Sequence, residues 1–387
     1  MRSASLTPFL LFMAIVLATA ASAQAPPVTP APPVTPEPPV TPAPPVTPAP
    51  PDFPRGKISG YLFGDVYDNV AGDPRHAYDA AGNDSAQANI DGKKVIGRDL
   101  NGVQLRRAYF QVDNDLSIRY STRFRLEADS KSLTSDGRIG VAVKAAYMLA
   151  RSVYPRADLY VGVIPTPTFE NSEEYWSYRS VEKTLADFRG LAPSADVGLS
   201  LKGFADPDHH VGYVAMLGNG NGNKPETNRD KRAYFALPLR WRDWRLEPYV
   251  DYENVFNARD RATWKVFAGW DVPHGAIGWE FVDQVTHKPV GAYAVARAHS
   301  VFARYAPRPT LAAFARADFW QPDRNAANRV DQQLWIAGLD WQPLKDVHFM
   351  PNVEAMQYHA VGTGVVPPHH DLQARVTLYW KFTKPQS

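Results

Sequence analysis

The chain of 387 residues contains no cysteine, so it has neither disulfide staples nor a lipoprotein anchor, which suits a secreted protein that needs no covalent ties. Beyond the N-terminal segment, no apolar run is long enough to cross a bilayer as a helix. Charge of one sign is scarce as well. Lys and Arg number 42 against 40 Asp and Glu, a formal net charge of +2, too mild a balance for a nucleic-acid partner. Catalytic and ligand-binding signatures are equally thin. Gly-x-Ser-x-Gly is absent, and no Ser/His/acid set emerges that would make the chain an enzyme. The glycine-rich run Gly218–Gly222 has no helical pattern or Lys-Ser/Thr after it, so it reads as an outer loop and not a phosphate cradle. His209-His210 and His369-His370 have no third ligand at a recognisable spacing, so no metal or other cofactor is expected.

What is abundant lies first at the N-terminus. Arg2, the apolar stretch Phe9–Ala18 and the small-x-small site Ala21-Ser22-Ala23 make a secretory signal peptide over 1–23. Five near-copies of Ala-Pro-Pro-Val-Thr-Pro follow within 24–56. Proline fixes φ and removes donors, so this linker favours polyproline II. It reads either as a stiff spacer or as a periplasmic arm that touches peptidoglycan or another partner.

From residue 57 to 387 the pattern changes to a period of two. In Leu116–Asp129, Ile118, Tyr120, Thr122, Phe124, Leu126 and Ala128 alternate with Arg119, Ser121, Arg123, Arg125, Glu127 and Asp129. Leu372 to Phe382 repeats the alternation, with Arg375 and Lys381 on the polar side. Strands greasy on one face and charged on the other suit an all-β, transmembrane antiparallel β-barrel whose outer wall meets lipid. A mean hydropathy of −0.35 with 12% aromatic residues fits such a wall and not a helical membrane protein.

About sixteen strands are expected, at 57–68, 102–114, 116–129, 139–152, 156–164, 195–204, 209–217, 230–241, 244–254, 261–270, 274–283, 291–305, 308–320, 328–341, 346–358 and 369–382. Connections after even-numbered strands are tight, as at Tyr154-Pro155-Arg156 and Pro273-His274. Those after odd-numbered strands are mostly long and polar, with Asn69–Asn101 and Pro165–Ser194 the two longest. Short periplasmic turns against long outer loops are the alternation a bacterial outer-membrane barrel requires. Tyr61, Phe63, Trp241, Trp244, Trp264, Trp270, Trp335, Trp341, Tyr379 and Trp380 fall near strand ends, where two interfacial girdles would sit.

The stretch Gly162–Gly203, with Arg-Ser-x-Glu-Lys-Thr and then Ser-x-Asp-x-Gly opening a strand, and the strand Leu105–Phe110 (LRRAYF) resemble the Gram-negative porin superfamily. The likeness is strongest to the phosphate-selective porin O/P-like group. It implies a sixteen-stranded barrel, usually a homotrimer, with a third outer loop folded inward, here Pro165–Ser194. Two departures stand out: the proline-rich arm, and Phe382 followed by Thr383–Ser387 where the family ends its chain on the aromatic.

A pore selects by diameter and lining charge. Arg119, Arg123 and Arg125 form a basic stripe, and Arg179, Lys183 and Arg189 of the third loop could extend it. Guanidinium forks match phosphate and carboxylate oxygens. Glu127 and Asp129 continue the same stripe, however, and Glu170, Glu173, Glu174, Glu182 and Asp187 share the loop. Mixed charge recurs at other inward positions, including Lys265, Arg316 and Arg375 against Glu247, Asp251, Glu280 and Glu354. The expectation is passive diffusion of small polar solutes, with anion or phosphate preference as one alternative. A non-channel barrel or envelope anchor that uses the arm is another, and a barrel lipid hydrolase a third.

Overall fold

The computed structural model of the chain describes residues 52–73, 89–90, 93–94, 97–255, 259–287 and 293–386. The signal peptide and all but the last residues of the proline-rich linker lie outside them.

Strands β1 (Arg55–Ala71), β2 (Asn101–Asp115), β3 (Tyr120–Leu133), β4 (Ile139–Tyr154) and β5 (Ala157–Pro165) lead to two short helices, α1 (Glu170–Trp176) and α2 (Leu185–Phe188). Then come β6 (Ala195–Phe204), β7 (Gly212–Gly218), β8 (Lys231–Ala236, resuming at Leu239–Trp241), β9 (Trp244–Asn254), β10 (Arg261–Val272) and β11 (Gly275–Thr286). The chain finishes with β12 (Ala294–Arg308), β13 (Leu311–Gln321), β14 (Arg329–Leu344), β15 (Val347–Val361) and β16 (Asp371–Gln386). Each strand pairs antiparallel with its chain neighbour, and β1 pairs with both β2 and β16, Gly60 facing Phe110 on one side and Phe382 on the other. The sheet therefore closes and keeps no unpaired edge. Every strand expected from the sequence is present. The break in β8 falls at Leu237-Pro238, where proline cannot donate to the ladder; its carbonyl accepts the Gly212 N–H at 2.7 Å.

The tight turns have a local cause. Pro155-Arg156 and Pro273-His274 each place proline's fixed φ first and a left-handed residue second, at φ 60° for Arg156 and 62° for His274. One turn differs from expectation and displaces a candidate residue. Leu116–Arg119 is not strand: the Ser117 hydroxyl accepts the N–H groups of Arg119 (3.2 Å) and Tyr120 (3.1 Å), a local bond that competes with the ladder. Strand β3 begins at Tyr120, and Arg119 is an exposed turn residue outside the basic stripe.

The outer face is apolar. Phe124, Leu199, Trp264, Val301, Trp335 and Trp380 are all exposed. Trp241, Trp244 and Trp270 gather near the short-turn end, the last two stacked with centroids 5.4 Å apart. Three aromatics expected in the girdles turn inward: Phe63 is 3% exposed, and the Tyr61 ring lies 4.5 Å from Tyr109 and 5.8 Å from Tyr379. Their strand parity explains it, since Tyr61 and Phe63 share a face with buried Asp65 and Asn69. Val301 sits at the middle of β12 on its outward face. Val301→Arg should destabilise the barrel by about 2–4 kcal/mol in lipid vesicles, measured by urea unfolding. No loss would mean that this face does not meet hydrocarbon.

Candidate functional site

The connection between β5 and β6, residues 166–194, lies inside the barrel. Helix α1 is amphipathic over only seven residues: Ser172, Tyr175 and Trp176 are buried, while Glu170, Glu173 and Glu174 share the other face by their i, i+3, i+4 spacing. It stops at Ser177, whose φ of 63° turns the chain and whose N–H bonds the Glu173 carbonyl. Tyr175, Trp176, Tyr178 and Val181 pack with Phe267, Phe302, Phe314, Leu334, Ile336 and Met350 of the inner wall. Gly269 supplies the seat, since a Cβ there would come within 2.7 Å of the Tyr175 ring. Leu185, Ala186 and Leu191 join Val282, Ala298 and Trp320 in a second cluster.

Wall arginines fasten the loop backbone. Arg106 donates to the Ser180 and Val181 carbonyls, Arg316 to Lys183, and Arg232 to Leu191 at 3.0 Å. Each also pairs with a wall carboxylate, Arg106 with Asp65 (2.7 Å), Arg316 with Asp318 and Arg232 with Asp251 (2.7 Å). Five N–H donors per guanidinium allow both duties. The inward charges under the loop, Lys265, Arg316, Arg375, Glu247, Asp251, Glu280 and Glu354 among them, are thus buried and not bathed in a wide lumen. Within the loop, burial raises the Asp187 carboxyl, but Lys183 at 2.8 Å and Arg179 at 3.4 Å outweigh it and hold the group below its usual range.

Because the loop leans on β10 to β15, it leaves a cavity of about 690 Å³ bounded by α1 and the inner faces of β1 to β4 and β14 to β16. Five basic side chains line it (Arg123, Arg125, Lys144, Arg179 and Lys381) with five carboxylates (Glu170, Glu173, Glu174, Asp340 and Asp346). Arg123 and Arg125 come from β3 and Lys144 from β4, whereas three of the acids come from α1. Lys144 owes its aim to a bulge: Arg125 faces Ala145 and Leu126 faces Val143, so Lys144 is the extra residue. Its Nζ meets Glu127 at 3.1 Å and the Ser194 hydroxyl at 2.8 Å. Tyr109, Tyr61, Tyr379 and His348, on the neighbouring strands β2, β1, β16 and β15, form an aromatic belt along the cavity wall.

Of the residues singled out in the sequence, Arg123, Arg125, Arg179, Glu173 and Glu174 meet in this cavity. Glu127 and Asp129 face inward beside it, both paired with Arg107. Two loop cations turn away from it. Arg189 bonds Gln332 at 2.6 Å and lies over the Phe188 and Trp320 rings, and Lys183 is spent on Asp187. Both follow the loop's backbone, which carries them past the cavity to the far wall. Sequence reading missed the aromatic belt, although the parity of Tyr61 with Asp65 could have revealed it. At the β6–β7 turn Asp206, Asp208 and His210 come together. There the Asp206 carboxylate accepts the N–H groups of His210 and Val211, which is turn architecture.

No protein-family model matches the chain, and no curated protein resembles it in sequence. Solved structures do resemble it in fold. OmpT of Vibrio cholerae, an outer-membrane protein, aligns at TM-score 0.57 and 10% identity over 86% of this chain and 99% of its own. The anion-selective porin from Comamonas acidovorans gives TM-score 0.57 and 10% identity over 85% of this chain and all 100% of its own. The outer membrane channel DcaP of Acinetobacter baumannii gives 0.57 and 12% over 84% and 97%. At such identities the kinship is architectural: this chain has the sixteen-stranded fold of porin-like outer-membrane barrels, with its third long loop turned inward.

Proposed function

We propose that the protein is an outer-membrane channel through which small hydrophilic solutes diffuse passively, with weak ion preference. The observation that carries this is the inner loop, which docks on one wall and leaves a cavity lined equally by basic and acidic groups. Charges of opposite sign on wall and loop set up a transverse field that favours polar solutes over apolar ones. Export by the signal peptide, a periplasmic linker and homotrimeric assembly belong to the same proposal.

A strong phosphate preference, the finer part of the sequence resemblance, would call for several uncommitted cations. Arg107, Arg123, Lys144 and Arg179 are each tied to a carboxylate. Of the basic wall residues that line the cavity, only Lys381 and Arg125 have no carboxylate partner among the described residues. The Arg125 Nε donates to Gln111 at 2.6 Å. That supports a mild anion preference at most.

Single-channel recording of the refolded protein under a KCl gradient tests the reading. Stepwise conductance with a reversal potential close to zero is expected, and Arg123→Ala with Arg125→Ala should shift it toward cations. A folded barrel that never conducts would overturn the channel reading in favour of a plugged or anchoring role.

A further inference from the structure

Four charged groups of the cavity lining make no ion pair among the described residues, the cations Arg125 and Lys381 and the carboxylates Glu174 and Asp346. Of these, Arg125 stands over the Tyr109 ring and Glu174 comes from the loop helix. Arg125 on the wall has a glutamine and no carboxylate beside it. Glu174 on α1 is exposed, and its carboxylate makes no hydrogen bond or ion pair among the described residues. Both line the same cavity. The other lining carboxylates of α1 are engaged, Glu170 by Lys202 at 2.6 Å and Glu173 by Arg179 at 2.6 Å.

The third component is the aromatic belt. Tyr61 packs against Tyr109 at 4.5 Å and Tyr379 at 5.8 Å with tilts of 31° and 35°. Tyr109 is 5% exposed and backs the surface, so the half-buried Tyr61 and Tyr379 rings are the ones that form a shallow trough. Neighbouring tyrosines of that kind offer a face on which a planar ring can stack. Arg125 stands over the Tyr109 ring, 5.8 Å from its centroid, which sets a guanidinium at the margin of the trough.

We infer that this cavity recognises a zwitterionic solute bearing a ring, of the size of an aromatic amino acid. Its ring lies on the trough of Tyr61 and Tyr379, which the buried Tyr109 backs, its carboxylate meets Arg125 and its ammonium meets Glu174. The inference rests on the channel reading above and names the solute class for the same cavity. The equal numbers of lining cations and carboxylates argue against a solute with net charge, because either sign would meet repulsion along half the lining. The volume suits such an occupant, since pockets for small ligands run from about 300 to 1,000 Å³.

The test is current block of the conducting barrel by four probes: phenylalanine, phenylacetate, phenethylamine and leucine. The first carries ring, carboxylate and ammonium, and each of the others lacks one of these. Half-block by phenylalanine should need a concentration at least tenfold lower than by any of the other three. The variants then separate the groups. Arg125→Gln should erase the advantage over phenethylamine and keep that over phenylacetate, while Glu174→Gln should do the reverse. Tyr61→Leu should erase the advantage over leucine. A misfolded variant cannot produce those selective losses. Equal potency of the four probes on a conducting wild-type barrel would overturn this inference and leave the channel reading standing. Absence of KCl conductance would instead remove the channel reading itself.

Discussion

Trp176→Ala should free the inner loop and raise single-channel conductance, making the open current noisier. The indole is fully buried, edge-on to Phe302 at 5.3 Å and Phe314 at 6.0 Å. Its Nε1 donates to the Glu182 carbonyl at 2.9 Å, and the Arg316 guanidinium lies over its ring at 5.5 Å. Removing it costs about 3–5 kcal/mol in packing. Over most of its length the loop takes no part in the barrel ladder, so its position depends on this cluster and on the arginine bonds. The barrel wall keeps its own hydrogen bonds, and the loss should therefore fall on the loop rather than on the sheet. Wild-type conductance together with unchanged protease resistance of the loop would show that the indole is not the anchor.

Arg232→Met is the second large effect, and it should weaken the whole barrel. Arg232 is 1% exposed and reaches Asp251 at 2.7 Å, Glu253 at 3.2 Å and the Leu191 carbonyl at 3.0 Å. Glu253 has a second partner in Arg261 at 2.7 Å. Among the described residues Asp251 would keep only the Tyr249 hydroxyl, at 2.6 Å. Methionine fills much of the volume and leaves Asp251 as a buried charge with no cation, a loss of about 3–5 kcal/mol. Adding Asp251→Leu removes the orphaned charge, so the double variant should recover most of that stability. Urea unfolding of single and double variants makes the comparison. If both unfold together, the penalty comes from lost packing and not from the stranded carboxylate.

The barrel was legible because a strand writes its environment into alternate residues. Arg123 and Arg125 against Phe124 reveal both faces at once, and Pro-x pairs punctuate the turns. Turn chemistry limited this at Arg119, where a serine hydroxyl two residues earlier diverts the chain. Parity says nothing inside a loop. Residues 166–194 announced their length and acidity but not which side chains would anchor them, because a seven-residue helix has too few turns to display a period. The docking wall did leave a trace. In β14, Leu334 and Ile336 face inward while Trp335 faces outward, so both faces are apolar. A strand that is greasy on its lumen side is waiting for something inside to cover it. The pairing of the interior charges was beyond reach, since Arg106 and Ser180 meet across 74 positions of chain.

The seam between β1 and β16 has a consequence for how the molecule comes into being. Gly56 lies opposite Gln386 and Val66 opposite Val376, so the earliest strand finds its second neighbour only in the latest one. Until that strand docks, the growing sheet carries two raw borders, each a template for pairing with a stranger. A contact between the extremes of the chain is also the slowest kind to form. Assembly is thereby a race between self-closure and association, decided at its final step. Losing β16 would leave fifteen well-formed strands in a ribbon prone to join its own kind.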